Sequence, residues 1–492
     1  MKFSIRSHKI LYGFFLLVII TNIYVLHNNI FDCDILGPHT WRQTYTMQNI
    51  DCFYEEGNSI VDPKSFSKIT PDRIRRMEFP IMQWLVARTY MLFGQSILVM
   101  RVDCFLLGIA SIIAFFMFLK RLITYVPAII AGTCFFAFSP LYYYYMMNPL
   151  PDLFALSAVT WSMYFYVLAH DKKDRSPWLF FIAAFFLCLG ALAKLPYIAF
   201  AGIPLGLVIR YRKVDLSSKV MLHVWSSAIF IIPVLLWYGY TLPGMTHNST
   251  LRGLFDSSEA RAPYLESFTS NLQEIVFPLL LGFLAIPILI AGCVFLVMKR
   301  HKIFTTYLPY SLTGLALLLY YFYELPLIAD IHDYYMLPFL PLTALLLAAG
   351  WQTLYQIRYL NIFCVALLTM LPFAAKNQMK DRWDPTKNLQ FPDFWHIYKK
   401  ELRSAVPDSV LVVMGNDPTT SIMPYYIHKR GWTYVDRELT YDYFHAMINL
   451  GAKYLYTNSE CTLSDSTLRP FFRKEIGVYG NVHIFELTDP NK

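Results

Sequence analysis

Charge is what this chain has little of. Asp, Glu, Lys and Arg make up 15% of its 492 residues, against a hydrophobic share of 56%. A soluble globular chain carries roughly 25% charged residues. The shortfall excludes one large soluble core, and because the apolar residues gather in long runs it indicates many membrane crossings. A nucleic-acid partner is excluded too, since the net charge of +8 is divided among short basic clusters between apolar runs. The eight cysteines include no CxxC pair and no zinc-type spacing. Cys104, Cys134, Cys188, Cys293 and Cys364 fall inside apolar runs, as small packing residues do. Cys33 and Cys52 lie in a predicted external loop, where an oxidising compartment would permit a disulfide that spacing alone does not establish. Repeats of fixed period, low-complexity stretches and glycine-rich phosphate loops are all missing, so Gly415-Asn416-Asp417 reads as a turn.

What is there is a series of apolar runs. The first, 10–26, follows Lys2, Arg6 and Lys9 and is followed by Asn28, Asn29 and Phe31 in place of a small-x-small cleavage site. It reads as a retained anchor. Further spans are expected at 97–119, 123–139, 153–169, 178–193, 195–209, 220–240, 276–298, 303–323, 334–351 and 359–375, about eleven in all. Each is near the roughly 17–25 residues a helix needs to cross a bilayer.

With a cytoplasmic start, every basic cluster falls inside: Lys120-Arg121, Lys172-Lys173 with Arg175, Arg210 through Lys219, Lys299-Arg300 with Lys302, and Arg358. The short outer loops 142–152 and 324–333 carry no Lys or Arg. This is the positive-inside asymmetry, and it places the last section, 376–492, outside. The long first loop, 28–94, is expected to hold two short interfacial helices at 44–56 and 80–94. The aromatic run 142–145 is expected at the interface. The last section reads as an α/β domain, with strands at 409–414, 432–435 and 453–457, helices at 420–428 and 441–450, and a hairpin within 478–487. Its alternation favours a partly parallel sheet.

Ionisable residues at the mouths of spans are costly unless paired or near water, so each is a functional candidate. Asp152 follows Asn148-Pro149-Leu150-Pro151, and Lys194 ends a span before Leu195-Pro196. Glu78 precedes Phe79-Pro80, His332-Asp333 precedes Tyr334-Tyr335, and His39 and Arg42 stand within Gly37-Pro38-His39-Thr40-Trp41-Arg42-Gln43. Each has a plain structural reading as well. Asp152 would cap the helix after it, Lys194 would snorkel, and Glu78 would pair with Arg75 or Arg76.

At these positions the sequence resembles the bacterial GT-C glycosyltransferases, relatives of the protein O-mannosyltransferases and of the aminoarabinose transferase that modifies lipid A. The likeness is carried by His39-Thr40-Trp41-Arg42-Gln43-Thr44, Glu78-Phe79-Pro80-Ile81-Met82-Gln83-Trp84, Asn148-Pro149-Leu150-Pro151-Asp152, Ala193-Lys194-Leu195-Pro196 and His332-Asp333-Tyr334-Tyr335-Met336-Leu337-Pro338, in order over about residues 10–375. It implies a bacterial inner-membrane enzyme with a periplasmic C-terminal α/β domain. Such an enzyme moves a sugar from a polyprenyl-phosphate donor to a hydroxyl of a lipid, glycan or protein, with inversion. Asp152, Glu78 or His39 would take the acceptor proton. Arg42, Lys194, His332, Arg252 and Arg261 would hold the donor phosphate, and a divalent metal is an open question. The relatives' first-loop acid falls on His39 here, which leaves Asp34 and Asp51 as further candidates for the base. A lipid-linked-sugar flippase and a non-catalytic membrane scaffold are the rival readings. Against the flippase stands the absence of paired half-chain repeats.

Overall fold

The computed structural model describes residues 5–170, 176–211, 217–245, 264–330, 332–387 and 389–490. Among the described residues, seven helices are long and apolar enough to cross a membrane: Ile10–His27, Ile97–Leu122, Pro151–Ala169, Val220–Thr241, Leu308–Ala329, Asp333–Tyr355 and Leu360–Trp383. Four shorter apolar helices, Val126–Ala137, Trp178–Ala193, Leu195–Arg210 and Ile286–Met298, stand where the other expected spans lie. The chain is a polytopic α-helical membrane protein with a small C-terminal β-sheet domain. Apolar side chains such as Ile232, Leu235, Leu236, Val297 and Ile362 are exposed on the outer faces of these helices, as they are where the surroundings are hydrocarbon rather than water.

The chain divides into two units, one of Met1–Asp32, Met77–Phe79 and Met100–Lys380, the other of Cys33–Arg76, Pro80–Val99 and Asp381–Lys492. In the first, helices pack closely through small residues. A Cβ on Gly350 would stand 2.0 Å from the Ile288 carbonyl oxygen, so the helices Ile286–Met298 and Leu340–Tyr355 approach only because glycine is there.

Proline accounts for several departures from expectation. The expected 276–298 span is two pieces: a π-helix Leu272–Leu280 containing Pro278, then Ile286–Met298. Between them Gly282 and Phe283 take left-handed φ of 64° and 56°. The 334–351 span begins as a 3-10 turn, Asp333–Phe339, around Pro338. Conversely, Pro326 does not end its helix, which runs Leu308–Asp330. Residue 324, expected to open an outer loop, therefore lies inside that helix, since proline is tolerated in membrane helices. The tyrosines 142–145 are not an interfacial belt. They form the helix Pro140–Tyr145 and are fully buried, with the Tyr142 hydroxyl on the Gly108 carbonyl at 2.6 Å.

The second unit holds a five-stranded sheet of order β2-β1-β3-β5-β4. Its strands are β1 (Leu411–Gly415), β2 (Arg430–Tyr434), β3 (Ala452–Thr457), β4 (Phe472–Tyr479) and β5 (Val482–Leu487). β1 pairs in parallel with β2 and β3, and β5 runs antiparallel to β3 and β4. The expected partly parallel sheet is present, with its helices Ile422–Ile427 and Tyr441–Asn449. Thr440 caps the second of these by accepting from the Tyr443 amide. β2 reaches β1 because residue 431 is glycine, where a Cβ would meet the Val412 carbonyl oxygen at 1.8 Å.

One expectation about the first loop changes. The helix Thr40–Glu55 is buried along thirteen of its sixteen residues, so it is a core element and not an interfacial one. The helix Ile81–Phe93 does divide into faces, burying Met82, Val86 and Tyr90 and exposing Leu85, Met91, Leu92 and Phe93. Cys33 and Cys52 are separate thiols.

Candidate active site

Three segments of the membrane unit converge on Lys194. The helix Trp178–Ala193 stops there: Lys194 is extended at φ −158°, ψ 115°, and a 3-10 turn follows over Leu195–Ala201. Pro196 supplies no N–H to prolong the helical ladder. The short segment Met77–Phe79 is fastened to the same place. The Phe79 amide donates to the Leu192 carbonyl at 2.9 Å, and the Trp237 indole N–H donates to the Met77 carbonyl at 3.0 Å. The third segment is the start of Pro151–Ala169, where Asp152 sits in the first turn and the Tyr197 hydroxyl donates to its backbone carbonyl at 3.0 Å. The turn before it is held by buried Arg101, which donates to the Met147 carbonyl at 2.5 Å and to Asn148 Oδ1 at 2.6 Å.

The result is one ammonium between two carboxylates. Lys194 Nζ lies 3.5 Å from Glu78 Oε1 and 3.8 Å from Asp152 Oδ2. All three are buried, Asp152 at 1% exposure. Buried ions are costly to desolvate, so each depends on the others for compensation. The rings of Tyr335 and Tyr334 lie beside the ammonium, with centroids 4.9 and 5.7 Å from Nζ. Chemically the arrangement supplies a proton acceptor, a cation and an aromatic wall in one place. The same unit holds a largely apolar cavity of about 650 Å³ lined by Leu187, Ile198, Leu205, Phe230, Ile231 and Leu319.

The plain structural readings change accordingly. Asp152 makes no cap, because the helix begins at Pro151 with Leu150 as its uncapped N-cap. Glu78 meets Lys194, and Lys194 points into a polar cluster rather than snorkelling.

Comparison with known proteins bears on the fold. Residues 78–237 match the dolichyl-phosphate-mannose-protein mannosyltransferase family, a stretch that holds Glu78, Asp152 and Lys194. Curated proteins give no match in sequence. Among solved structures, ArnT from Cupriavidus metallidurans in the apo state superposes with a TM-score of 0.65 at 11% identity, over 97% of this chain and 98% of that one. The same ArnT bound to undecaprenyl phosphate gives 0.60 at 11% identity, over 98% of each chain. This is the GT-C fold of the ArnT type.

The other expected residues are divided between the two units. His332 is buried in the membrane unit, its ring 4.8 Å from that of Tyr335 and 5.2 Å from that of Tyr334. Its neighbour Asp333 accepts a short hydrogen bond from the Tyr145 hydroxyl. His39 and Arg42 belong to the second unit. His39 is buried in a left-handed conformation at the start of Thr40–Glu55, and its amide donates to Gln390 Oε1 at 2.9 Å. Arg42, also buried, stands 5.5 Å over the Tyr45 ring. Arg252 and Arg261 lie outside the described residues.

The two alternative acids of the first loop differ from one another. Burial pushes the Asp34 carboxyl up, but Lys399 at 2.5 Å, the Ile35 amide and the Tyr425 hydroxyl outweigh it and hold the group below its usual value. Burial pushes Asp51 up to about 6, against the pull of His428 and of a 2.8 Å hydrogen bond from Gln95. Among the described residues, no group of three or more His, Cys, Asp or Glu is arranged to hold a metal ion.

Reading the sequence missed two residues here, Arg101 and Glu324. Arg101 was hidden in an apolar run. Glu324 falls at the start of the expected outer loop 324–333.

Proposed function

We propose that this protein is a membrane glycosyltransferase that moves a sugar from a polyprenyl-phosphate donor to an acceptor hydroxyl, with inversion at the anomeric carbon. The observation that carries the proposal is the Lys194 ammonium held between the buried carboxylates of Glu78 and Asp152. Its setting supports the donor class, because the relative of the same fold has been crystallised with undecaprenyl phosphate.

In this reading Asp152 or Glu78 takes the proton of the acceptor hydroxyl as its oxygen bonds to the anomeric carbon. The bond from that carbon to the phosphate oxygen breaks, and the polyprenyl phosphate leaves with the electron pair. Lys194 couples the two events. Protonation of one carboxylate removes a counter-ion from the ammonium, so more of its field acts on the charge growing on the phosphate. His332, Arg42, Arg252 and Arg261 are the further phosphate contacts that the family resemblance offers, and His39 is its alternative base. The cavity beside Ile198 and Leu319 suits the apolar tail, since those residues adjoin Tyr197 and Tyr320 in the chain. The basic clusters between spans support a bacterial inner-membrane location, with the N-terminus cytoplasmic and the chemistry and C-terminal domain on the outer side. The acceptor is a lipid, a glycan or a protein.

The test is transfer of radiolabelled sugar by purified protein, over a panel of polyprenyl-phosphate sugars and acceptors. Donor-dependent product, or slow release of free sugar to water, supports the reading. Tight donor binding with no turnover under any condition favours a flippase instead.

A further inference from the structure

The helix Ile81–Phe93 carries apolar residues on two opposite faces, and the protein covers one of them. Met82, Val86 and Tyr90 are buried, with the Tyr90 ring 5.9 Å from that of Tyr54. The other face, at the i, i+3, i+4 and i+7 spacing of a single helical stripe, carries Trp84, Leu85, Arg88, Met91 and Leu92. Its exposure grows toward the C-terminus, from 41% at Leu85 to 76% at Leu92, with Phe93 beside it at 74%. Thirteen residues are too few to cross a bilayer. Gly94, at a φ of 87° that favours glycine, turns the chain, and the span Ile97–Leu122 begins three residues later. That span exposes Leu98, Val102 and Leu106 along one stripe. The open end of the short helix therefore leads directly into a surface that faces hydrocarbon.

Arg88 is the single charge in this helix, which contains no Asp or Glu. Its guanidinium lies 4.6 Å over the Trp84 ring and donates to Met91 Sδ at 3.2 Å, and it makes no ion pair among the described residues. A guanidinium stacked on an indole still presents N–H groups at its edge, and their fork matches the oxygens of a phosphate. A second copy of this chain would offer the same stripe, with its own arginine and no carboxylate to pair with either. A bilayer surface supplies what the face lacks. Hydrocarbon takes Leu85, Met91, Leu92 and Phe93, and phosphate lies within reach of a cation whose stem follows the apolar boundary. We propose that this face of Ile81–Phe93 lies in the bilayer interface with its C-terminal end deepest, and that Arg88 with Trp84 binds the phosphate of a membrane phospholipid. The assignment stands apart from the glycosyltransferase reading, because the lipid it names is not a substrate.

The experiment uses full-length protein in nanodiscs of phosphatidylethanolamine and phosphatidylglycerol, in a Cys33→Ser, Cys293→Ser, Cys461→Ser background that removes the accessible thiols. A nitroxide is attached in turn at Leu92→Cys and at Leu450→Cys, the latter an exposed reference in the C-terminal domain. The Leu92 label should relax with dissolved oxygen and be shielded from a water-soluble nickel chelate, and the Leu450 label should do the reverse. Equal nickel accessibility at the two positions would put the face in water and overturn the proposal. Shielding of the Leu92 label from both reagents would overturn it too, by showing that protein covers the face. Lipid binding is then titrated by native mass spectrometry, comparing phosphatidylglycerol with a phosphate-free diglucosyl diacylglycerol. Arg88→Ala should weaken phosphatidylglycerol binding about 5-fold, the effect of one cation at an anionic lipid surface, and leave the phosphate-free lipid unchanged. Arg88→Lys, which keeps the charge and loses the planar fork, should fall between. If Arg88→Ala binds both lipids as wild type does, the phosphate site is overturned.

Discussion

The two units each contain a knot of opposite charges, and the two knots are built differently. In the second unit, Glu55 and Glu56 face more cations than they need. Arg430 donates to both, at 2.6 and 3.0 Å, Arg73 and Lys64 reach Glu56 at 2.5 and 3.2 Å, and His428 reaches Glu55 at 3.0 Å. These groups are only partly buried, and both carboxylates are fully engaged. In the membrane unit Lys194 Nζ lies 3.5 and 3.8 Å from the carboxylates of Glu78 and Asp152, and Glu324 Oε2 has no hydrogen-bond partner among the described residues. The first pattern holds backbone segments together. The second is more deeply buried and lies in the membrane unit, where ionisable groups are functional candidates by default.

Mutations at the two knots should therefore separate cleanly. The largest effect is expected on activity: Asp152→Asn and Lys194→Ala should each cut sugar transfer by at least about 100-fold, whereas Arg430→Ala should leave the turnover rate close to wild type. Stability gives the next contrast, read from thermal unfolding in detergent. Lys194→Ala takes a cation from two buried carboxylates and should cost roughly 3–5 kcal/mol, while Arg430→Ala should cost about 1 kcal/mol. Adding Asp152→Asn to Lys194→Ala should recover part of that stability and none of the activity. A double variant no more stable than Lys194→Ala would show that the cluster is not held by charge.

The smallest effect is on pH dependence within the second unit. Burial pushes Glu55 and Glu56 up, but His428 and Arg430 outweigh it for Glu55, and Arg73, Arg430 and Lys64 for Glu56, leaving both at about 2. Their contribution to stability is present above the ordinary carboxylate value near ~4.3 and is lost as pH falls from there towards 2. Asp51 has the opposite sign. With its carboxyl raised to about 6, it disfavours folding above that pH, and the penalty is relieved as pH falls from 6 towards ~3.9. Amide-exchange protection of the helix Thr40–Glu55 should rise between pH 7 and 5 and decline below about 4.5. Asp51→Asn should remove the rise and keep the decline. A profile unchanged by that substitution would show that Asp51 does not titrate in this range.

How much of this was legible in the sequence follows from what each signal measures. Length and hydropathy located the spans, because crossing a bilayer imposes both. Strand and helix alternation located the C-terminal sheet almost element by element, since β1, β2 and β3 are short apolar runs closed by turns. Glu78, Asp152 and Lys194 stood out individually as charges at the mouths of spans, but their contact joins positions 78, 152 and 194 and is visible only once the helix break at Lys194 is in place. The misreadings have a common cause. Tyr142–Tyr145 and the helix Thr40–Glu55 read as interfacial from their polar and aromatic residues, and tertiary contacts bury both. Local composition carries no information about such contacts.

The most direct test of the central claim is a single comparison of purified wild type and Asp152→Asn, with matched unfolding midpoints, given a polyprenyl-phosphate donor carrying radiolabelled sugar. The Lys194-centred site predicts donor-dependent transfer, or slow hydrolysis, by wild type and at least about 100-fold less by Asp152→Asn. Equal rates in the two proteins would contradict it and move the chemistry away from the Glu78–Lys194–Asp152 cluster.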